Sequence, residues 1–180
     1  RQDGARVTSA EIFTALDLPP VAGAEGLDQR WSRRFPAFVA IDELHPGLAR
    51  LLALREVLGL RNSAHSLVKL LPALPGSMGA IRVMNHTHPE YAQSMGEFIG
   101  LTGADALLLR GTEGEPVADA RRRPALRAFL GGALCEELSM PAQEGVLTAM
   151  PALPDALDAA ATARTIQSML AGELPIPDSI

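Results

Sequence analysis

The chain has 180 residues, of which 47% are hydrophobic and 21% charged, as is typical of one globular domain with a substantial core. Its 16 Lys and Arg against 21 Asp and Glu give a formal charge of -5, which argues against a uniformly basic nucleic-acid binder but permits a local basic patch. The single cysteine, Cys135, excludes an internal disulfide framework and favours a reducing compartment, most simply the cytoplasm. Since no apolar run approaches about 18 residues, no membrane span is predicted.

The first third of the chain predicts two helices and one strand. Residues 8–11 have the pattern of a capping box that starts a helix. The segment 19–29 opens with two prolines that end this helix, and its Gly-rich sequence predicts a loop. Residues 38–41 form an apolar run typical of a short buried strand. His45-Pro46 then predicts the start of a second helix, which Gly59 ends.

The stretch GLRNSAHSLVKLLP predicts a further helix with one apolar and one basic face. Asn62 can cap it, and apolar residues recur from Ala64 at i, i+3, i+4 and i+7. Arg61, His65 and Lys69 are spaced four apart, within roughly 80° of arc at about 100° per residue. Bases at a helix N-terminus favour anion binding, although an ordinary solvated face has the same pattern.

Two more strands and two more helices follow. Residues 81–84 form a strand, and a second capping-box pattern at 87–90 starts a helix that runs to about Gly100. Residues 106–109 form a third strand, and the Ala-rich stretch 156–170 a last helix. Strands that alternate with helices predict an α/β fold, with a largely parallel sheet and helices on both faces.

The segment LLLRGTEGEPVADARRRP, residues 107–124, places an acidic Gly-rich loop and three arginines after a strand. Ligands of open α/β sheets gather beyond the carboxyl ends of the strands, so we expect His45, His88 and the loop 111–114 to face one crevice. The loop either holds a metal or presents positive charge to a polyanion, whereas an Arg run is also common at a solvated helix start. His86 and His88 have no third metal ligand nearby in sequence and predict no zinc site. The bases that can cluster here are Arg110, Arg121, Arg122, Arg123 and Arg127.

Over residues 6–164 the chain resembles the anthranilate phosphoribosyltransferases and their paralogues in glycosyltransferase family 3. LHPGLARLLALREVLGLRNSAHSLVKLL is similar to the family's HP…R..LG.RT..N..GPL block, and TGADALLLRGTEGEP to its strand and loop before the second magnesium pair. The resemblance implies a nucleoside phosphorylase-like, phosphoribosyltransferase-like α/β domain, of which residues 1–180 are a part. It also implies that a dimerising N-terminal helical domain and a Gly-rich phosphate loop lie outside this chain. By motif match, His45, Arg55 and Arg61 fall at the family's acceptor pocket.

The chain departs from the family where the metal chemistry is expected. The magnesium-binding Asp-Glu pair is replaced by Glu115-Pro116-Val117, and neither Pro116 nor Val117 has a side-chain oxygen for magnesium. The acceptor block gains His65 and Lys69, and the family's His-Gly becomes Arg110-Gly111. This combination most resembles the DNA-binding YbiB-type paralogues, which implies the transferase fold and homodimer, nucleic acid as partner, and no cofactor.

Two function hypotheses follow. The first is a non-catalytic or weakly catalytic paralogue that binds DNA or RNA through a basic groove, largely without sequence preference. The net charge and the 4% aromatic content stand against it. The second is an active pentosyl- or phosphoribosyltransferase with a small aromatic or nitrogenous acceptor, which would use magnesium and phosphoribosyl pyrophosphate. A transferase-fold domain with another ligand or a regulatory role is a third possibility. The first hypothesis assigns the phosphate contacts to Arg61, His65, Lys69, Arg110, Arg121, Arg122 and Arg123.

Overall fold

The computed structural model describes residues 7–72, 79–112, 119–148, 154 and 158–177. The chain divides into two compact units: unit 1 comprises Arg1–His65 and Ala152–Pro175, and unit 2 comprises Ser66–Pro151 and Ile176–Ile180. The elements are the helices α1 Ser9–Ala15, α2 Gly23–Ser32, α3 Ile41–Leu44, α4 Pro46–Leu58, α5 Ala64–Leu67, α6 Pro89–Thr102 and α7 Ala159–Leu170, a 3-10 turn at Val68–Leu70, and the strands β1 Arg82–His86, β2 Ala106–Arg110, β3 Leu126–Leu130 and β4 Ala133–Met140.

The helix ends in unit 1 follow local signals in the sequence. The capping box of α1 is confirmed: Thr8 Oγ1 accepts from Glu11 N at 3.3 Å, and the Glu11 carboxylate accepts from Thr8 N at 2.7 Å. The helix α4 begins at Pro46 and ends before Gly59, which has a left-handed φ of 69°. The helix α7, capped by Asp158, packs against α1. Residues 156 and 157 of its predicted range lie outside the described residues.

Two predictions in unit 1 are wrong. Residues 38–40 form no strand, and Ile41 begins the short helix α3. The apolar side chains are instead covered by a helix, since the ring of Phe38 lies 5.6 Å from that of Phe13 in α1. The predicted loop 19–29 contains most of α2, which buries Leu27 and approaches Val21 so closely that a Cβ at Gly26 would lie 3.4 Å from the Val21 Cβ.

Unit 2 contains a four-stranded sheet in the order β1-β2-β3-β4. The strands β1 and β2 are parallel and joined through α6, as the sequence predicts, whereas β2–β3 and β3–β4 are antiparallel. The sheet is therefore mixed, and the prediction of a largely parallel sheet is wrong. The α/β class is confirmed. The sheet is mixed because a two-residue turn joins β3 and β4 into an antiparallel hairpin, whereas parallel strands would need a crossover connection such as a helix.

The core of unit 2 lies between the sheet and α6. Ile99 of α6 is fully buried, and Met84 and Leu108 are each 1% exposed. These strand residues occupy paired positions, Met84 opposite Leu108, and alternate along their strands with residues of the other face. The same cluster includes Met95, Ala104, Ala106 and Phe129. The packing of this core fixes the position of the carboxyl ends of β1 and β2 relative to α6.

The hairpin of β3 and β4 contains a two-glycine turn and a bulge. Its turn is Gly131-Gly132, with φ of 55° and 84°, as the type I′ turn requires. Between the pairs Leu126–Met140 and Ala128–Cys135 the register shifts in a bulge. The Ser139 hydroxyl closes this bulge, because its Oγ accepts from Ala128 N at 3.0 Å and donates to Cys135 O at 2.7 Å.

Candidate nucleic-acid interface

Two ionisable side chains lie where the parallel strands of unit 2 end. His86 is the last residue of β1 and Arg110 the last of β2, and the two are paired in register. Gly111 N donates to His86 O at 3.0 Å, so the two strands remain paired to their final residues. Because parallel strands end at the same edge of a sheet, His86 and Arg110 define one edge, which we call the basic edge.

The arginine run 121–123 enters the sheet at the basic edge. It precedes β3, whose first residue Leu126 pairs with Leu109 of β2. The run starts no helix: Gln143 N donates to Arg123 O at 2.9 Å and Leu147 N to Arg121 O at 3.0 Å. The Gln143 side chain adds a bond, its Oε1 accepting from Arg123 N at 3.1 Å. The run begins in a turn that Arg122 N closes by donating to Asp119 O at 3.0 Å, and the bonds to Gln143 and Leu147 hold it beside residues 143–147.

The three arginines differ in their surroundings. Arg121 forms a bidentate pair with Asp119, with Nη2–Oδ2 at 2.7 Å and Nε–Oδ1 at 3.0 Å. These hydrogen bonds hold the pKa of Asp119 well below its usual range and raise the pKa of Arg121. Arg122 is exposed, whereas Arg123 is half-buried, with its Nε out of contact with solvent and without a hydrogen-bond partner in the described part of the chain. Arg122 is therefore the member best placed to meet a ligand from solvent.

Lys69 brings a further charge to the end of β1. Its Nζ donates to Asn85 Oδ1 at 3.0 Å, and Asn85 is only 4% exposed. The 3-10 turn that carries Lys69 lies against β1. Since α-helical geometry ends at Leu67, the predicted arc of about 100° per residue does not extend to Lys69.

Arg127 is one of the bases predicted to cluster near residues 107–124, but it is not among the predicted phosphate contacts. It is half-buried on β3 opposite Leu108, with its guanidinium carbon 5.3 Å from the centroid of the Phe129 ring. A Cβ added at Gly96 of α6 would lie 3.7 Å from Arg127 Nη1, so the guanidinium lies beside that helix. Arg127 also lines a cavity of about 380 Å³, together with Glu136, to which it forms no ion pair.

His86 lies among these cations. Burial is the main cause that lowers its pKa; a hydrogen bond to the His88 backbone raises it, and the charges of Arg110, Arg127 and Lys69 lower it further. Its Nδ1 is buried and has no hydrogen-bond partner among the described residues. Sequence reasoning did not assign His86 to a site, although its position two residues after the buried Met84 was a signal that it shares the core-facing side of β1. His88 is the exposed N-cap of α6 and makes no capping bond with its side chain, so the predicted capping box at 87–90 is wrong.

The residues predicted for an acceptor pocket lie along α4 in unit 1. His45 is the N-cap, where its Nδ1 accepts from Leu48 N at 3.1 Å. Arg55 is in the last turn of the same helix, so about 15 Å of helix separates the two positions at 1.5 Å per residue. Arg61 follows the helix and is exposed. The helix therefore holds His45 and Arg55 at opposite ends.

Arg61 and His65 belong to unit 1, and Lys69 to unit 2, because the division falls between residues 65 and 66. Asn62 caps α5 as predicted, its Oδ1 accepting from Ala64 N at 3.0 Å. The His65 ring is turned back toward this cap, with Nδ1 3.3 Å from Asn62 N, so that nitrogen is already engaged. Each unit thus carries its own part of the predicted phosphate contacts.

Neither a metal-ligand cluster nor a membrane-spanning helix occurs among the described residues. The substituted metal motif at 115–117, and residues 113 and 114 of the loop, lie outside the described residues. Within 7–72, 79–112, 119–148, 154 and 158–177, no group of three His, Cys, Asp or Glu residues could hold a metal ion. None of the helices in these ranges is long and apolar enough to cross a membrane.

The fold and the basic edge together define an α/β chain with a cationic strand-end surface. Over 180 residues it is 33% identical to a protein of Escherichia coli (strain K12) described as the uncharacterized protein YbiB. The match covers 99% of this chain and 54% of that protein, so the chain spans about half the length of the relative. No protein-family model matches the chain. The likeness to YbiB predicted from the motifs is confirmed, while the likeness to anthranilate phosphoribosyltransferase stays a prediction.

Proposed function

We propose that this chain is the nucleic-acid-binding part of a non-catalytic or weakly catalytic paralogue of anthranilate phosphoribosyltransferase. It binds DNA or RNA through the basic edge, largely without regard to sequence. The observation that supports this proposal most directly is the placement of His86 and Arg110 in register at the ends of two parallel strands. The arginine run joins the sheet at the same end.

The physical basis is phosphate contact by cations that the fold gathers locally. Arginine and lysine side chains that neutralise phosphates release counterions, which supplies affinity that is independent of sequence. A net charge of -5 does not oppose this, because the field of a local cluster acts at short range in physiological salt. With an aromatic content of 4%, base stacking is a minor contribution.

The cations of unit 2 differ in how readily they can contact a nucleic acid. Arg110 and Arg122 are exposed and can reach the phosphate backbone of a nucleic-acid strand. Arg121 contributes less, because Asp119 already compensates its charge. Arg61 and His65 of unit 1 remain in the proposal as further phosphate contacts.

The wider architecture is part of the same proposal. We expect a nucleoside phosphorylase-like fold in a cytoplasmic homodimer, formed by a helical domain outside this chain, and no metal or organic cofactor. The crossover β1-α6-β2 and the length of the YbiB match are compatible with such a partial domain. Two protomers would present two basic edges, which raises the avidity for a long strand.

The test is fluorescence anisotropy of labelled DNA at salt concentrations from about 50 to 200 mM. We expect Arg110→Ala to weaken binding and to flatten the slope of log K against log salt by nearly one unit, since one phosphate contact is lost. The matched control is Arg82→Ala, at the start of β1 and thus at the other end of the strand that His86 ends. If both variants keep the wild-type affinity and slope, the basic edge is not the binding surface.

A further inference from the structure

We propose that the C-terminal end of α2, in unit 1, is a second contact surface for nucleic acid, which stacks on unpaired bases of a single strand. Its residues are Trp31, Arg33, Arg34 and Phe35, which we call the aromatic-basic patch. The inference rests on the proposed function and goes beyond it, because the basic edge contacts the phosphates of any strand, whereas the patch selects bases that are unpaired.

The end of α2 brings the residues of the patch together in one short segment. Arg34 N donates to Trp31 O at 2.8 Å and Phe35 N donates to Arg30 O at 3.2 Å, which are the two bonds of a Schellman motif. The guanidinium carbon of Arg33 lies 5.8 Å from the centroid of the Phe35 ring. Backbone hydrogen bonds and a side-chain contact therefore hold the patch at a single helix end.

The aromatic side chains of the patch are exposed, although the chain has few aromatic residues. Trp31, the one tryptophan of the chain, and Phe35 are each 45% exposed, whereas such rings are mostly covered in globular proteins. By contrast, Phe13 and Phe38 of the same unit are half-buried and lie against each other. An exposed ring can stack on any base, since every base has a π face. Stacking remains a small part of the total affinity, but the patch concentrates it at one place.

The patch also carries positive charge that no carboxylate compensates. Neither Arg33 nor Arg34 forms an ion pair within the described part of the chain, unlike Arg121 of the basic edge. Arg30 adds a charge to the same helix end: its Nη2 donates to Pro19 O at 3.0 Å, and its buried Nη1 has no hydrogen-bond partner among the described residues. This charge favours a polyanion over an apolar or basic protein segment as the occupant. Arginines beside exposed rings are the combination with which proteins bind single-stranded nucleic acid.

Arg34 occupies a backbone position that suits glycine better. Its φ is 59°, in the left-handed region where side chains are strained and where helices commonly end in glycine. An arginine at this position therefore lowers the stability of the helix end, as is expected where a residue serves binding and not folding. The change Arg34→Gly removes the charge and the strain together, so it separates the two roles.

The first experiment compares an oligothymidine strand with an abasic strand of equal length, which has the same phosphates but no bases. We expect the protein to bind oligothymidine about fivefold more tightly, as one stacked base produces, and Trp31 fluorescence to be quenched by that strand alone. Trp31→Ala should bring the ratio of affinities to about one, whereas Trp31→Phe should retain most of it. The matched control is Tyr91→Ala, which removes a ring of α6 that is 43% exposed and should leave the ratio unchanged.

The second experiment uses Arg34→Gly. This variant should bind both strands more weakly without a change in their ratio, because a phosphate contact is lost. The midpoint of urea denaturation should stay the same or rise, because glycine adopts the left-handed conformation without strain. A loss of affinity in a protein that is no less stable cannot come from unfolding. Unchanged affinity for both strands would remove Arg34 from the patch and overturn the argument from charge.

The outcomes separate the two proposals. Equal affinity for both strands with unchanged Trp31 fluorescence overturns the patch and leaves the proposed function standing, since the basic edge needs only phosphates. Quenching by the abasic strand as well shows contact without stacking and also overturns the patch. Failure of the protein to bind either strand overturns both proposals.

Discussion

At the residue scale, the arginines of the basic edge differ in how much of their charge a ligand meets. Arg121 and Arg122 are both exposed, but two hydrogen bonds hold the Arg121 guanidinium on the Asp119 carboxylate. A charge already paired releases few counterions when a phosphate arrives. Counting the basic residues in this run therefore overstates its contribution to binding.

Removing the carboxylate should release that charge. We expect Asp119→Asn to strengthen DNA binding and to steepen the slope of log K against log salt by up to one unit, because Arg121 becomes available to a phosphate. Anisotropy titrations across the salt range measure this change. In the double variant Asp119→Asn, Arg121→Ala the gain should disappear. An unchanged slope in the single variant would show that Arg121 does not reach the ligand.

His86 gives the protein a stability change with pH. Its pKa is lowered in the folded state, chiefly by burial, so the unfolded chain binds a proton more readily than the native protein. The free energy of unfolding should therefore fall as the pH decreases through the ordinary histidine pKa of about 6.5. Urea unfolding at about pH 7.5 and 5.5 measures the difference, and His86→Asn should make it smaller. An identical pH dependence of the wild-type protein and the variant would refute this role for His86.

At the element scale, the turn of the β3–β4 hairpin is fitted against the end of α6. A Cβ at Gly132 would lie 3.0 Å from Gly100 O and 3.0 Å from the Cα of Gly103, which is closer than side chains normally approach backbone. Gly132 also has a φ of 84°, which L side chains rarely adopt. The turn thus holds the hairpin, and with it Arg127, against the helix.

We expect Gly132→Ala to destabilise the protein by about 2 kcal/mol or more, since unfavourable φ and close contact with backbone both add to the cost. Gly131→Ala is the matched control: its φ is 55°, but nothing lies within 4 Å of the added Cβ, so it should cost only about 1 kcal/mol. Chemical denaturation of the two variants compares them. Equal losses would mean that the approach of Gly132 to α6 contributes nothing.

Local signals predicted the elements that depend on neighbouring residues. The starts of α1 and α4 were recognised because capping residues act within one turn, and Gly59 ended α4 for the same reason. The hairpin was missed although Gly131-Gly132 lies between two apolar runs, which is a hairpin signal. The predicted strand at 38–41 failed because an apolar run can equally be covered by helices.

Local sequence patterns did not predict which residues the site contains. The strand ends were expected to face a ligand, and Arg110 lies at such an end. His86 and Arg127 join it only through the pairing of β1 with β2 and of β2 with β3. Register and strand direction arise from contacts between distant segments, so neither the half-buried positions nor the mixed sheet followed from local patterns.

At the scale of the whole molecule, an overall negative charge coexists with a cationic edge. The net charge of -5 favours solubility, while the basic edge supplies a local positive field that acts at short range. Because the proposed contacts are with phosphates and not with base edges, affinity should depend on salt far more than on sequence.

Sequence-independent binding through phosphate contacts is tested by the affinity of the wild-type protein for three unrelated DNA sequences of equal length, between about 50 and 200 mM salt. We expect affinities that agree within a few-fold at each salt concentration. We also expect one common slope of several units, as about three to five phosphate contacts would give at about -0.9 per contact. Binding that is absent at low salt, or that is insensitive to salt and strongly dependent on sequence, would contradict this expectation.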